Sequence, residues 1–351
     1  MLKFKKRSQV AVTLKMISER VGLSQAAVSQ ILNRKPNDLS SEGTKRKVFA
    51  LAEELGYKQK FGHKLLRGDR TDTVAVLIDT RRLCAEEHIQ TLVMKLLMRL
   101  EQAGYSSYLS FLGCGEKENL AAVSDLAARG AEGFIVIGAP TGETVIEEEF
   151  IRLKKNFVGM GTHFSRNVTV SAEPAVREIL RFFLARRREN FRLLLPGDFE
   201  HTSRFAALKT LFPQLSEEKL AERYCVRMRN DHTGVDELGR IGCEATRSVF
   251  EKDPGVSAIF YHSDYYAMGG LAFLQGAGRI PGKDVLIAGY NNIHAVRSCC
   301  FPISSVLHPT DENVEALIEG LKQTGAFSRT LYARAVIRET AGFAAPERIF
   351  R

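Results

Sequence analysis

The sequence predicts a small all-α module followed by a larger α/β body, with parallel sheets arranged in two lobes. Three observations predict it. Apolar residues within the first 57 positions repeat with a helical period; short apolar runs alternate with helical patterns from residue 72 onward; and the charge divides at the same place. Residues 1–70 hold 16 Lys and Arg against 6 Asp and Glu, an excess of ten positive charges, whereas the other 281 residues hold 34 against 35. A basic module on a near-neutral body points to a polyanionic partner for the module alone. At 351 residues the chain is also too long for one small core.

The module comes first. Leu14, Ile17 and Val21 fall on one helical face, and Gly22 can take the left-handed conformation that ends the helix. Leu23 turns back into the core, and Ser24 is a good cap for a second helix. In that helix Val28, Ile31 and Leu32 point inward, so Gln25, Ala26, Ser29 and Gln30 point outward. Two short helices joined by a tight glycine turn form the helix-turn-helix pattern, whose second helix enters the major groove by its first residues. Glutamine can bond the N6 and N7 of adenine, alanine can touch a thymine methyl, and small side chains let the helix approach closely. Gln25, Ala26, Ser29 and Gln30 are therefore the candidates for base readout. A third helix follows, capped by Ser40 or Ser41, with Val48, Leu51, Ala52 and Leu55 as its apolar stripe and Gly56 at its end. Lys45, Arg46, Lys47, Lys58, Lys60 and Lys64 lie around it, a set suited to phosphate contacts that supply affinity without sequence information. Thr13, Ser24, Asn33, Lys45 and Lys60 are the candidate backbone contacts. A plain three-helix packing module would explain the apolar positions equally well; the local charge favours DNA.

The body alternates strands at 74–78, 105–112, 134–137, 157–160, 191–195, 223–228, 258–261 and 285–288 with helices at 86–103, 117–129, 144–154, 173–187, 202–211, 234–251 and 264–277. The segment 302–340 completes it. Such alternation implies parallel sheets covered on both faces, and so many units exceed one sheet. Ligands of open α/β sheets bind at the carboxyl ends of the strands.

Read in order, Val12-Thr13-Leu14, Val21-Gly22-Leu23-Ser24, Ala27-Val28-Ser29, Ile31-Leu32-Asn33, Glu54-Leu55-Gly56-Tyr57 and Leu65-Leu66-Arg67-Gly68 form one series. Ser263-Asp264-Tyr265-Tyr266-Ala267-Met268-Gly269 and Val285-Leu286-Ile287-Ala288-Gly289-Tyr290-Asn291-Asn292 continue it. This series resembles the lactose-repressor/galactose-repressor (LacI-type) family of bacterial transcriptional regulators over nearly the whole chain. The resemblance implies a helix-turn-helix headpiece at 1–57, a hinge helix or linker at 58–71, and a periplasmic-binding-protein type I effector and dimerisation domain at 72–351. Lobe one is expected at about 72–163 and 294–323, lobe two at about 164–293 and 324–351. The resemblance further implies that the linker folds on operator DNA and that Leu66 inserts into the minor groove, with His63 beside it; an apolar wedge bends DNA onto more protein surface. Gln59 and Lys60 stand where the family usually has proline and asparagine, and His63 replaces a small residue.

For the cleft between the lobes the resemblance implies Asp79, Arg204, Ser263, Asp264 and Asn291 as effector contacts. Arg204 matches an arginine that bonds ligand hydroxyls or carboxylates in relatives, and Asp264 could equally cap the helix after it. Gly161 stands where sugar-binding relatives commonly have aspartate; His163, His262 and His308 are further pocket candidates. The expected partners are an inverted-repeat duplex operator, because a dimer's two-fold axis is copied into its half-sites, a small-molecule effector of carbohydrate or related type, and a second copy of the chain.

Catalytic, metal and cofactor sites are not expected. There is no G-x-S-x-G elbow, P-loop, dinucleotide fingerprint or H-E-x-x-H helix. The six cysteines, Cys84, Cys114, Cys225, Cys243, Cys299 and Cys300, show neither C-x-x-C pairing nor a zinc pattern, and reduced thiols in a cytoplasm explain them. The start of the chain lacks the apolar run of a secretory signal, and no stretch reaches a membrane span. Two other function classes stay open: a periplasmic-type small-molecule receptor, which the basic module disfavours, and a DNA-tethered metabolite enzyme.

Overall fold

A computed structural model describes residues 12–33, 38–57, 70–79, 86–228, 235–299, 301–338 and 340. Lys60, His63, Leu66, Cys84 and Cys300 lie outside the described residues. The chain divides into two compact units, Met1–Thr71 and Asp72–Arg351.

The first unit contains α1 (Leu14–Val21), α2 (Gln25–Leu32) and α3 (Glu42–Glu54). Ile17, Val28, Ile31, Val48 and Ala52 close on one another as its core. Each helix starts at a hydroxyl: Thr13 accepts from Met16 N, Ser24 from Ala27 N and Ser41 from Thr44 N. Gly22 ends α1 at φ 68°, a conformation that only glycine adopts without strain, and it sets the angle at which α2 leaves.

The second unit has two parallel sheets. In chain order its elements are β1 (Thr73–Asp79), α4 (Glu87–Gln102), β2 (Ser106–Leu112), α5 (Glu116–Ala128), β3 (Gly133–Ile137), α6 (Glu143–Arg152), β4 (Asn156–Met160), β5 (Arg166–Ser171), α7 (Glu173–Ala185), β6 (Phe191–Leu195), α8 (Ser203–Leu211), α9 (Glu217–Tyr224), β7 (Cys225–Arg227), α10 (Val235–Lys252), β8 (Ala258–Tyr261), α11 (Asp264–Gly276), β9 (Leu286–Ala288), α12 (His294–Ser298), β10 (Ser305–Leu307), α13 (Thr310–Lys322), β11 (Phe327–Tyr332) and β12 (Arg334–Val336). The first sheet runs β11-β5-β4-β3-β1-β2, the second β7-β6-β8-β9, and β10 pairs antiparallel with β12. Both faces of each sheet are covered. Val74, Val76 and Ile78 face α4 and α13, while Ala75 and Leu77 face α5 and α6. In the second sheet Leu193 and Phe260 pack under α7 and α8, Leu194 and Ile259 under α10 and α11. Burial on both faces is why these strands read as unbroken apolar runs.

The lobe boundaries expected from the resemblance shift. β5 pairs with β4 and β11 with β5, so 166–171 and 327–332 belong to the first sheet. Conversely, Val296, Ile303 and Val306 pack in the second lobe, which claims 294–307. The chain thus crosses between the lobes near 172, 308 and 333, and Ala333 N donates to Ser171 O at 3.0 Å where two crossings meet. Arg166 fixes β5 in its place. Its buried guanidinium donates to Phe157 O at 2.7 Å, to Gly320 O, and to Gln323 O at 2.8 Å.

Candidate DNA-reading face and inter-lobe effector site

On α2 the side chains of Gln25, Ala26 and Gln30 are exposed, and Ser29 is half-buried. The capping hydroxyls of Thr13 and Ser24 accept through oxygen, so their hydrogens can still donate to a phosphate. Two expected backbone contacts are engaged within the module. Asn33 Nδ2 donates to Ser29 O at 2.6 Å and to Ser29 Oγ at 3.2 Å. The Lys45 ammonium lies 3.1 Å from Glu42 and 3.6 Å from Asp38, so it is not the free cation that its spacing suggested. Arg46 and Lys47 are the exposed cations of α3.

The second site lies at the carboxyl ends of the strands, where the lobes face each other. Arg204, at the start of α8, is nine-tenths buried. Its Nη2 donates to His262 O at 2.7 Å, and its guanidinium lies 3.4 Å from the centre of the Tyr290 ring. Tyr290 meets His308 edge to face at 5.2 Å, and His308 stacks on His88 of α4 at 4.4 Å with the rings 10° apart. A chain of π contacts therefore runs from the second lobe through a crossing segment to the first. Beside it, Glu87 Oε1 accepts from His294 N at 2.9 Å, a second tie between lobes. Burial, reinforced by the neighbouring Arg204 charge, holds His262 well below its ordinary value and pushes His308 down to about 4, so both are neutral near pH 7.

Of the expected effector contacts, Arg204, Ser263 and Asn291 come together in this corner, and His262 and His308 join them. Asn291, at φ 97°, accepts from His308 Nε2 at 3.1 Å, and Asn292 follows at φ 51°. Two successive non-glycine residues in the left-handed region are strained, and the second is held by Ser305 Oγ, which accepts its N–H, and by Arg338 Nη2, which donates to its Oδ1. Ser263 is buried at the N-cap of α11, yet its hydroxyl makes no cap bond. Asp79 is buried at the end of β1.

Asp264 is a correction on both of its readings. It is fully buried, Oδ1 accepts from Ser305 Oγ at 2.7 Å and Oδ2 from Ile293 N at 2.9 Å. The carboxylate therefore neither faces the cleft nor caps α11; it ties β8 to the loop after β9 and to β10. His163 is likewise elsewhere, exposed and 2.7 Å from Glu143. Gly161 has φ 70° and offers no side-chain acceptor. Tyr290 and His88 were not singled out by sequence. Tyr290 stands in the Gly289-Tyr290-Asn291-Asn292 motif; His88, at the start of an amphipathic helix, carries no local signal.

Among the described residues no group of His, Cys, Asp and Glu could hold a metal, and no helix is long and apolar enough to cross a membrane. Residues 180–340 match the family model described as a periplasmic binding protein-like domain. The chain is 23% identical over 340 residues to Catabolite control protein A of Priestia megaterium, covering 94% of each. It is 24% identical over 313 residues to the HTH-type transcriptional regulator CelR of Thermobifida fusca, covering 85% of this chain and 87% of that one. The fold matches a lac repressor dimer bound to operator and the anti-inducer ONPF with a TM-score of 0.75 at 18% identity, over 94% of this chain and 99% of that one. It also matches a CelR–cellobiose complex with a TM-score of 0.60 at 19% identity, again over 94% and 99%. CelR is described as an HTH-type transcriptional regulator, and this chain carries an amino-terminal helix-turn-helix and, after it in sequence, two doubly covered parallel sheets. The chain is similar to LacI-type transcriptional regulators over nearly its whole length.

Proposed function

We propose that this protein is a cytoplasmic, non-catalytic repressor that binds an inverted-repeat operator as a homodimer and is controlled by a carbohydrate or related metabolite in the inter-lobe cleft. The observation that carries the DNA reading is the exposed, uncharged Gln25, Ala26 and Gln30 face of a capped helix in a unit with ten excess positive charges. Lys60, His63 and Leu66 of the linker are proposed to contact the backbone and minor groove between half-sites. Dimerisation is supported by Met94 and Met98 of α4 and Leu109 and Phe111 of the edge strand β2, large apolar side chains left exposed on neighbouring elements. The effector reading draws support from the ONPF and cellobiose complexes of the structural neighbours. Cleft closure would act through α4, which carries His88 at the lobe contact and Met94 and Met98 on the exposed face. Selection from a random duplex library with the full-length protein tests the reading. It should return a two-fold symmetric site with half-sites about one helical turn apart; return of sequences without symmetry, or no enrichment, would refute it.

A further inference from the structure

We propose that the contact between the lobes is proton-linked: the buried Asp264 carboxyl takes up a proton when the turn at 290–293 docks against it and gives the proton up when the turn lifts. Neither the operator reading nor the effector reading is needed for it. Asp264 holds that turn at several points. Its N–H donates to Tyr290 O at 3.0 Å, Oδ2 accepts from Ile293 N at 2.9 Å, and Oδ1 accepts from Ser305 Oγ at 2.7 Å. Ser305 Oγ in turn accepts from Asn292 N at 2.9 Å. The loop backbone comes so close that a Cβ on Gly289 would strike Oδ1. The turn carries the lobe contact with it. Tyr290 lies against Arg204 and His308, Asn291 accepts from His308, and His294 N, one residue beyond, donates to Glu87 of α4. Asn291 and Asn292 are strained in the left-handed region, so the turn keeps this shape only while it is held.

Neither protonation state of the carboxyl suits the docked turn. As a carboxylate it has two donors, but it is fully buried. Arg338 is bonded to Ile303 O and Asn292 Oδ1, and Arg204 to His262 O; both act on Asp264 only at longer range. As a neutral acid it needs an acceptor, yet Ile293 N–H only donates and Ser305 Oγ already accepts from Asn292 N. Protonation therefore reverses the Asp264–Ser305 bond. Burial decides the balance and pushes the carboxyl up to about 7. The other titratable groups around it keep one charge state between pH 5.5 and 8. Burial pushes the Tyr265 hydroxyl of α11 up, and it pushes His262 and His308 down. Glu86 and Glu87 at the start of α4 act on Arg204 and Tyr265, and Arg297 of α12 acts on Arg338. In the lifted turn the carboxyl meets water and is an ordinary acid near 4. Raising the pH from about 5 to 7 therefore favours lifting, and the effect levels off above about 7.

Amide hydrogen exchange of the full-length protein is followed by mass spectrometry from pH 5.5 to 8, with the intrinsic chemical rate divided out. Opening of 289–296, and of 86–91 across the lobe contact, is expected to rise about tenfold or more between pH 5.5 and 7 and to level off above it. Asp264→Asn should flatten the rise in both segments. Ser305→Ala removes one donor to the carboxylate and should move the levelling to higher pH by about half a pH unit or more; it serves if the first variant does not fold. His308→Gln should leave the rise in place. A flat native profile, a rise unchanged in Asp264→Asn, a levelling unmoved in Ser305→Ala, a rise abolished in His308→Gln, or a rise confined to 289–296 would overturn the proposal.

Discussion

At the scale of single residues, the two sites ask opposite things of polar side chains. On α2, Gln25 and Gln30 are solvated and unconstrained, free to meet base edges. Gln25→Ala and Gln30→Ala should each cost about 1–3 kcal/mol of discrimination between specific and scrambled duplex while leaving the salt slope intact. Competition binding at two salt concentrations checks this; an unchanged ratio would misplace the reading helix. In the cleft, polar groups are buried and titrate abnormally. Burial pushes the Asp264 carboxyl up to about 7, above its unfolded value, so stability from this group is present at low pH and lost as pH rises from about 4 to 7. His308 is pushed down to about 4, so its contribution runs the other way and is lost as pH falls below about 6.5. In the native chain the two trends oppose each other. Asp264→Asn keeps an acceptor for Ile293 N and removes the acid, so its stability should rise more steeply between pH 4.5 and 6.5 than that of the native protein. Parallel urea-denaturation curves across that range would contradict this assignment.

At the scale of elements, what was legible depended on whether the signal was local. Caps, the Gly22 turn and apolar runs buried on both faces are set by near neighbours in sequence, and α1, α2, β1, β3, β6 and β8 fall where the pattern puts them. β5 escaped the pattern for a physical reason. It overlaps β4 by only two register pairs, Gly159↔Asn167 and Met160↔Val168, and therefore needs no crossover helix, so strand–helix alternation passes over it. α9 escaped too, since its face is mostly charged. In the site, the family resemblance marked Arg204, Ser263 and Asn291, but only the fold distinguishes a residue in the corner from one such as Asp264 that locks two loops together. His88 reaches the site through stacking across lobes, which no sequence spacing encodes. The place of β5 is itself testable. Arg166→Met leaves three carbonyls, two of them in buried hydrogen bonds, without this donor, each buried one costing about 1–3 kcal/mol, and should destabilise the body by about 3 kcal/mol or more. A loss under about 1 kcal/mol in urea denaturation would show that β5 is held by other contacts.

At the scale of the whole molecule, charge and chemistry are separated along the chain. The positive excess belongs to residues 1–70, while the near-neutral body contributes two sheets, three crossings and a corner where lobes touch through His88, His308, Tyr290 and Arg204. A ligand that favours one arrangement of the lobes changes DNA affinity only if it binds the two arrangements unequally, and DNA must then change ligand affinity by the same factor. The central claim, however, is that the basic module reads sequence rather than merely holding polyanions. Its most direct test is a fluorescence-anisotropy titration of the full-length protein against its selected inverted repeat and a scrambled duplex of equal length, at one physiological salt concentration. The predicted result is a ratio of dissociation constants of about 10³ or more; a ratio near one would contradict the account.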